Sequence, residues 1–441
     1  MLANELCATK SKKLKILIID KGKEPLKRDP KKEPTDLVFG VGGAGMFSDG
    51  KLNLNVDIGG DLKEINISRE ELLQLIEKVD ELFVELGVSR SFLNANKIKI
   101  NELKKQASIN GIGFIYGKQK HIGTDVLKKI INKFYNKLKT KDVKFMLETG
   151  VENIKMFKER YIIETNKGII MAKYVLCAPG RCGAHWLKNQ ADLLNIKTSP
   201  GYIDVGVRVE FPELVYKDIE EVMYDAKFRC YTKTYDDLVR TFCTNPRGLV
   251  VREQYDGFSI INGHAESKGK TSNTNLALLV RVELMEPSKT SVDYGKYIVH
   301  LANVVGNGKP LIQRYKDLTA GRRSTWDRIN RSFVEPSCKD VYPGDISYAL
   351  PHRIVQNIIE AIKKLDKIMP GIASDTTLLY APEVKFYEIK YLINNWFETT
   401  SSGLFVAGDA SGFSRGIVYS ALTGIIAAQG IKEKILKTPN N

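Results

Sequence analysis

Residues 403–424 read G-L-F-V-A-G-D-A-S-G-F-S-R-G-I-V-Y-S-A-L-T-G, and no other stretch limits the fold as sharply. Leu404 to Ala407 form a short apolar run that reads as a buried strand, Gly408 and Asp409 break it, and from Gly416 onward the spacing turns helical. The order is strand, acidic turn, helix. Asp409, at the carboxyl end of the strand, can accept a hydrogen bond from a sugar or ribityl hydroxyl. The free N–H groups of the turn, and of a helix that starts near Gly416, attract a phosphate. Such chemistry suits a dinucleotide; an ordinary corner of an α/β domain is the plain alternative.

A-G-D-A followed by a glycine-started, alanine-rich helix resembles the carboxyl-terminal FAD signature of the glutathione-reductase-like flavoproteins. In that superfamily the aspartate binds the ribitol chain, and the amino end of the helix faces the pyrophosphate or the pyrimidine edge of the flavin. The resemblance puts those roles on Gly408 and Asp409 and on Arg415, Gly416 and Ile417.

Upstream, L-K-I-L-I-I-D at residues 14–20 reads as a buried strand ending in an acid, as the second strand of a dinucleotide-binding unit does. Asp20, with Lys21 beside it, is the candidate for the adenosine ribose hydroxyls. A first strand, a G-x-G-x-x-G turn and a helix should precede it over about 30 residues. Only thirteen residues stand there, and residues 1–7 read as the back half of that helix. A start at an internal methionine is the expected origin of the gap; a trimmed chain and a lineage without the site are the other two.

Gly40, Gly42 and Gly45 satisfy G-x-G-x-x-G literally, but the motif requires an α-helix to open after it. Residues 47–55 carry Gly and Asn, which oppose a stable helix, so the literal match is rejected. The whole stretch V-G-G-A-G-M-F-S-D-G-K-L-N resembles the segment after the second strand in a prokaryotic family of largely uncharacterised FAD-dependent dehydrogenases. Its glycines would let backbone lie against a flat ring. The candidates there are Gly42, Gly43, Ala44, Ser48, Asp49 and Lys51, with Lys51 also a catalytic candidate.

Residues 68–86 have helical spacing behind a Ser68-x-x-Glu71 capping box, and residues 123–138 form a second amphipathic helix rich in lysine. Residues 143–148 fit the third parallel strand, which puts Val151 beside the adenine. Residues 154–171 alternate around a turn at Asn166-Lys167-Gly168, a hairpin of the kind inserted in this superfamily. Residues 174–178 then run into Ala178, Pro179, Gly180 and Arg181; similar turns in related flavoproteins pass near the cofactor. Cys177 and Cys182 imitate a redox pair, but Cys177 ends a buried strand, which argues against that role.

From 196 to 375 the texture changes to short β-like runs with interspersed helices. Polar motifs concentrate here: N-G-H-A at 262–265, N-T-N at 273–275, A-G-R-R-S-T-W-D-R-I-N-R at 320–331 and P-G-D-I-S at 343–347. Arg322 and Arg323 are candidates for an anionic substrate or the phosphates of a nicotinamide cofactor; His264 could move a proton, and His352 shares that ambiguity. Residues 355–369 form an amphipathic helix that stops at Pro370-Gly371, and residues 378–387 return the chain to the cofactor domain.

The expected fold is α/β: a Rossmann-like FAD-binding domain, a parallel sheet with a β-hairpin or meander insertion, split around an inserted α+β substrate domain. Its pieces are 1–195, 196–375 and 376–441. The expected activity is that of a FAD-dependent oxidoreductase acting on a small molecule, with an anion among the candidates. NAD(P)H as a diffusible donor, or an electron-transfer protein, supplies electrons. With 43% hydrophobic and 27% charged residues the composition is that of a soluble protein, and no run approaches the roughly 18 to 20 apolar residues of a membrane span. A cytoplasmic location follows. Six cysteines without a C-x-x-C pair describe reduced thiols, neither a disulfide framework nor a metal site. The net charge of +15 raises an RNA-binding or RNA-modifying flavoprotein as one rival, but the lysines are spread over 10–32, 128–144 and 363–367. A scaffold that has lost FAD is the other.

Overall fold

Short apolar runs between glycines and charges give short strands in one part of this chain, and long alternating runs give long strands in another. The computed structural model describes residues 1–8, 14–48, 50–60, 62, 65–92, 96–255, 257–264, 271–284, 291–386 and 389–437. The chain forms two compact units: Met1–Phe92, Gly117–Ser199 and Ile389–Asn441 make the first, Leu93–Tyr116 and Pro200–Glu388 the second.

The first unit pairs Leu17–Ile19 in parallel with Lys144–Met146, and Val175–Cys177 in parallel with Leu404–Val406. The expected single parallel sheet is thus two separate two-stranded sheets, and among the described residues no strand joins them. Parallel strands are normally covered on both faces. Here Leu17 is exposed and Val175 and Leu176 are only half-buried, whereas Leu404–Val406 is buried throughout. Val151–Phe157, Arg160–Thr165 and Gly168–Ala172 form a three-stranded antiparallel meander. Its extra turn uses Lys158 at positive φ. Lys51–Leu54 pairs with Lys118–His121.

Helix Arg69–Glu85 starts at the capping box: Ser68 accepts from the Glu71 backbone N–H and Glu71 accepts from that of Ser68. The carboxyl-terminal helix Ile417–Lys437 is apolar nearly all round and is accordingly buried for most of its length. Leu72, Ile76, Val79 and Phe83 share a core with Leu422, Ile425 and Ile426. Each such fully buried side chain contributes about 1.5–3 kcal/mol. That core fixes where the helix begins, and so where the turn 408–416 lies.

The second unit is built on one eight-stranded sheet. Its order is Tyr342–Pro343, Leu311–Arg314, Leu378–Phe386, Ile203–Pro212, Asn273–Val282, Leu238–Asn245, Lys227–Tyr231, Gly113–Ile115. Two boundaries therefore differ from the sequence reading. Leu378–Phe386 pairs with Ile203–Pro212 and Leu311–Arg314, so the chain leaves this unit only at Glu388. Leu93–Tyr116 joins it as well, because Gly113–Ile115 pairs with Lys227–Tyr231. Strand pairing outweighs sequence continuity in both cases.

Ile203–Pro212, I-D-V-G-V-R-V-E-F-P, alternates apolar and polar residues, a pattern that ordinarily leaves one face to water. Here both faces are buried, with Asp204, Arg208 and Glu210 at 0% exposure. Burial of such charges requires partners. Arg208 grips Glu383 with Nε and NH2 at 2.8 and 2.7 Å, and its NH1 donates to Cys243 O and Asn275 Oδ1. Burial alone would raise the Glu383 carboxyl; the Arg208 and Lys385 charges outweigh it and hold the group below its ordinary range.

Candidate cofactor site

In the first unit the glycine loop meets both Asp20 and the start of the carboxyl-terminal helix. Leu404–Val406 delivers the chain to Gly408, whose N–H donates to Thr423 Oγ1 at 2.9 Å, and a 3₁₀ turn covers Asp409–Ser411. Asp409 Oδ1 accepts from Ser420 Oγ at 2.7 Å and Ser414 Oγ at 3.3 Å. Its Oδ2 has no hydrogen bond among the described residues. Arg415 NH1 donates to the carbonyls of Asp409 and Ser414, which folds the guanidinium back over the turn. Gly416 precedes the helix Ile417–Lys437, whose first-turn N–H groups point out of its end.

Asp20 is built the same way. Its Oδ1 accepts from the backbone N–H groups of Gly22 and Gly40, both at 2.8 Å, and Oδ2 has no hydrogen bond among the described residues. Burial raises the Asp20 carboxyl pKa, and the two N–H groups and the Arg28 charge only partly offset this. Lys21 places its ammonium over the Phe39 ring. Thr149 N donates to Asp20 O and Glu148 N to Gly22 O, just before the strand that starts at Val151.

Between the two acids runs the glycine loop. Arg28, fully buried, donates all five of its N–H groups to carbonyls: Asp36, Leu37, Gly40, Val41 and Gly43, at 2.8–3.2 Å. One side chain thereby sets the course of residues 36–43. Ala44–Phe47 is a 3₁₀ turn and not an α-helix, so Gly40, Gly42 and Gly45 do not open a dinucleotide-binding helix. A Cβ on Gly45 would lie 3.9 Å from Ile417 Cγ1, so the loop reaches the start of the carboxyl-terminal helix. Ser48 donates to Gly45 O and accepts from Gly50 N, shaping the loop from within. Asp49 lies outside the described residues. Lys51 stands opposite His121 in its strand pair.

Ala178, Pro179, Gly180 and Arg181 leave Val175–Cys177, and the 3₁₀ turn Arg181–Gly183 packs on the turn Asp409–Ser411. Gly43, Gly180, Gly408 and Gly416 share positive φ, and a Cβ on any of them would have no heavy atom within 4 Å. The conformation favours glycine, and the space beside each backbone is open. Cys177 and Cys182 are both free thiols, and burial pushes Cys177 up to about 12.

The remaining candidates lie in the second unit. His264 Nε2 is 3.5 Å from Glu253 Oε1. The neighbouring Gly263 explains the N-G-H motif: a Cβ there would fall 2.2 Å from Arg208 NH1 and 2.5 Å from Asn275 Oδ1. N-T-N serves the same interior, as Asn273 donates to Glu210 and Asn275 accepts from Arg208. Arg322 Nε donates to Asp317 Oδ1 at 2.8 Å, while Arg323 is exposed. Asp317 also receives Arg314 and Ser324, which outweigh its burial and hold its carboxyl at about 2. Sequence reasoning missed Arg28 and Arg208. A lone arginine before a glycine loop and a charged residue amid alternating valines were the available signals.

Residues 202–385 match the family model described as FAD-dependent protein, C-terminal domain-like. FAD is the cofactor that this match indicates. A stretch of 425 residues is 25% identical to an uncharacterized protein of Clostridium beijerinckii, covering 91% of this chain and 71% of that protein. Among solved structures the chain is similar to glycine oxidase from Geobacillus kaustophilus, at 11% identity over 98% of this chain and 91% of that chain, with a TM-score of 0.39. It is also similar to a flavoprotein/dehydrogenase from Cytophaga hutchinsonii, at 11% identity over 100% and 77% of the two chains, with a TM-score of 0.36. Among the described residues no group of three His, Cys, Asp or Glu could hold a metal, and no helix is long and apolar enough to cross a membrane.

Proposed function

We propose that this chain is a FAD-dependent oxidoreductase whose first unit holds the cofactor. One observation carries the reading: Asp20 and Asp409 each have one carboxylate oxygen tied down and the other open, while the loops between them present open backbone at glycines. A carboxylate oriented in this way accepts hydrogen bonds from hydroxyls at a smaller cost in side-chain entropy on binding. In this reading Asp20 takes ribose hydroxyls, Asp409 takes ribityl hydroxyls, and the amino end of Ile417–Lys437 with Arg415 favours negative charge. Residues 40–48 and 178–181 supply backbone donors along the ring system. FAD, when bound, supplies the hydride-transfer chemistry that no side chain here has. A small-molecule substrate is one redox partner; NAD(P)H or an electron-transfer protein is the other.

The test is flavin retention. Purified protein incubated with FAD and gel-filtered should keep the visible flavin band, and Asp409→Ala should weaken FAD binding at least tenfold, about the loss of one charge-assisted hydrogen bond. Ser420→Ala, which frees Asp409 to rotate, should have a smaller effect. A folded protein that stays colourless, or an Asp409→Ala variant that holds FAD as tightly as the parent, would overturn the assignment.

A further inference from the structure

The polar face of the second unit's sheet holds an arginine, Arg281, that donates no hydrogen bond among the described residues. Asp204 on Ile203–Pro212 lies opposite Arg281 on Asn273–Val282 and opposite Lys385 on Leu378–Phe386, so the three side chains share a face. Arg240 joins them, with Nε and NH2 both donating to Asp204 Oδ2. Lys385 Nζ is 3.0 Å from Glu383 Oε1 and donates to Asn262 Oδ1 at 3.3 Å. Glu383 is held by Arg208 as well, and Asn262 passes on to Glu253. Arg208 and Lys385 thus share Glu383, and Arg240 and Arg281 flank Asp204.

The guanidinium carbon of Arg281 lies over the Tyr202 ring, 3.9 Å from its centroid. Its Nε stands 3.9 Å from Asp204 Oδ1, outside hydrogen-bond reach, and both atoms are buried without a hydrogen-bond partner. Among the described residues Arg281 donates no hydrogen bond, although its side chain is only 28% exposed. A half-buried guanidinium held by an aromatic face with its fork unassigned is preorganised for a planar anion. The other arginine candidates differ: Arg322 is already held by Asp317, and Arg323 is exposed.

We propose that Arg281 anchors a small monocarboxylate, whose two oxygens take the NH1 and NH2 edge of the guanidinium while Arg240 and Lys385 supply a positive field behind it. The planar fork suits a carboxylate. This rests on the oxidoreductase reading only in naming that carboxylate a substrate or product. It moves the anion anchor from Arg322 and Arg323 to a residue of the sheet.

Titration calorimetry on the purified chain with benzoate, with glycolate and with inorganic phosphate tests it. At least one carboxylate should bind, with Arg281→Met weakening it about tenfold or more, Arg281→Lys less, and Arg323→Met not at all. Thermal unfolding of each variant shows whether it is folded. Undiminished carboxylate binding in folded Arg281→Met, no carboxylate binding by the parent, or phosphate bound as tightly as the carboxylates would each overturn the proposal. The flavin band is read on the same samples. Carboxylate binding that depends on Arg281 in a colourless protein upholds this site and overturns only the cofactor reading.

Discussion

In the first unit the decisive charges are tied to backbone and hydroxyls; in the second they are tied to one another. Arg28 holds five carbonyls, Asp20 two N–H groups and Asp409 two serine hydroxyls. Arg208, by contrast, is matched to Glu383 across strands, and Arg240 to Asp204. The two arrangements do different work. A charge bonded to backbone fixes the path of a loop and leaves a carboxylate oxygen for a ligand. A charge bonded to another across a sheet fixes strand register, because a slip by one residue would carry it to the opposite face. Arg281 departs from this rule in that it donates no hydrogen bond among the described residues, which is why the ligand proposal falls on it.

The largest effect should come from breaking the Arg208–Glu383 pair, both of whose side chains are at 0% exposure. Arg208→Met leaves a carboxylate buried with only Lys385 against it and should cost about 3–5 kcal/mol in urea unfolding. The double variant Arg208→Met with Glu383→Leu should recover most of that loss, since it removes the stranded charge. A single-variant cost below about 1 kcal/mol, the range of exposed pairs, would show that this pair is no stronger than a surface contact and would break the comparison.

A smaller and more local effect is expected at Arg28. Lysine keeps the charge but has three donors, so Arg28→Lys leaves at least two of five carbonyls without their partner and should cost about 1–3 kcal/mol. Hydrogen exchange should speed up over residues 36–43 and stay slow in Ile203–Pro212. FAD retention should fall with it. Uniform loosening of both units would mean that Arg28 supports the fold at large and not the loop.

How far the sequence was legible follows the same division. The strand Leu404–Val406, the helix after Gly416 and the capping box at Ser68 are local patterns, and the structure has them within a residue or two. Acids at strand ends were legible too, because position alone makes Asp20 and Asp409 stand out. Long-range pairing was not. Leu378–Phe386 reads as an apolar run that could belong to either unit, and only its hydrogen bonds to Ile203–Pro212 assign it to the second. The roles of N-G-H and N-T-N were illegible for a related reason. Polar residues in a strand suggest a site when their partners lie far along the chain, as Glu210 lies 63 residues from Asn273 and Glu383 lies 175 from Arg208, and cannot be paired by eye. Arg28 shows the same limit, since one arginine's reach to five carbonyls depends on a loop path that spacing does not encode.

The finest test uses acidity, because Asp317 in the second unit and Asp20 in the first are shifted in opposite directions. Asp317 in the second unit is held at about 2 against roughly 3.9 in an unfolded chain, its burial outweighed by Arg314, Ser324 and Arg322. The unfolded state therefore binds the proton more readily, and the stabilisation from Asp317 is complete above about pH 4 and lost as pH falls toward 2. Asp20 in the first unit is raised, chiefly by burial, so there the folded state binds the proton more readily. Its charged form costs stability, and that cost is relieved as pH falls through the folded-state pKa. Asparagine at position 20 still offers an oxygen to Gly22 and Gly40, so Asp20→Asn should be neutral or stabilising at neutral pH. Unfolding free energies of the parent and of Asp317→Asn should converge as pH falls from about 5 to 2. Those of the parent and of Asp20→Asn should differ most at neutral pH and least in acid. Parallel curves for either variant would mean that its aspartate titrates alike in the folded and unfolded chains, and that the contrast between backbone-held and pair-held charge does not extend to protons.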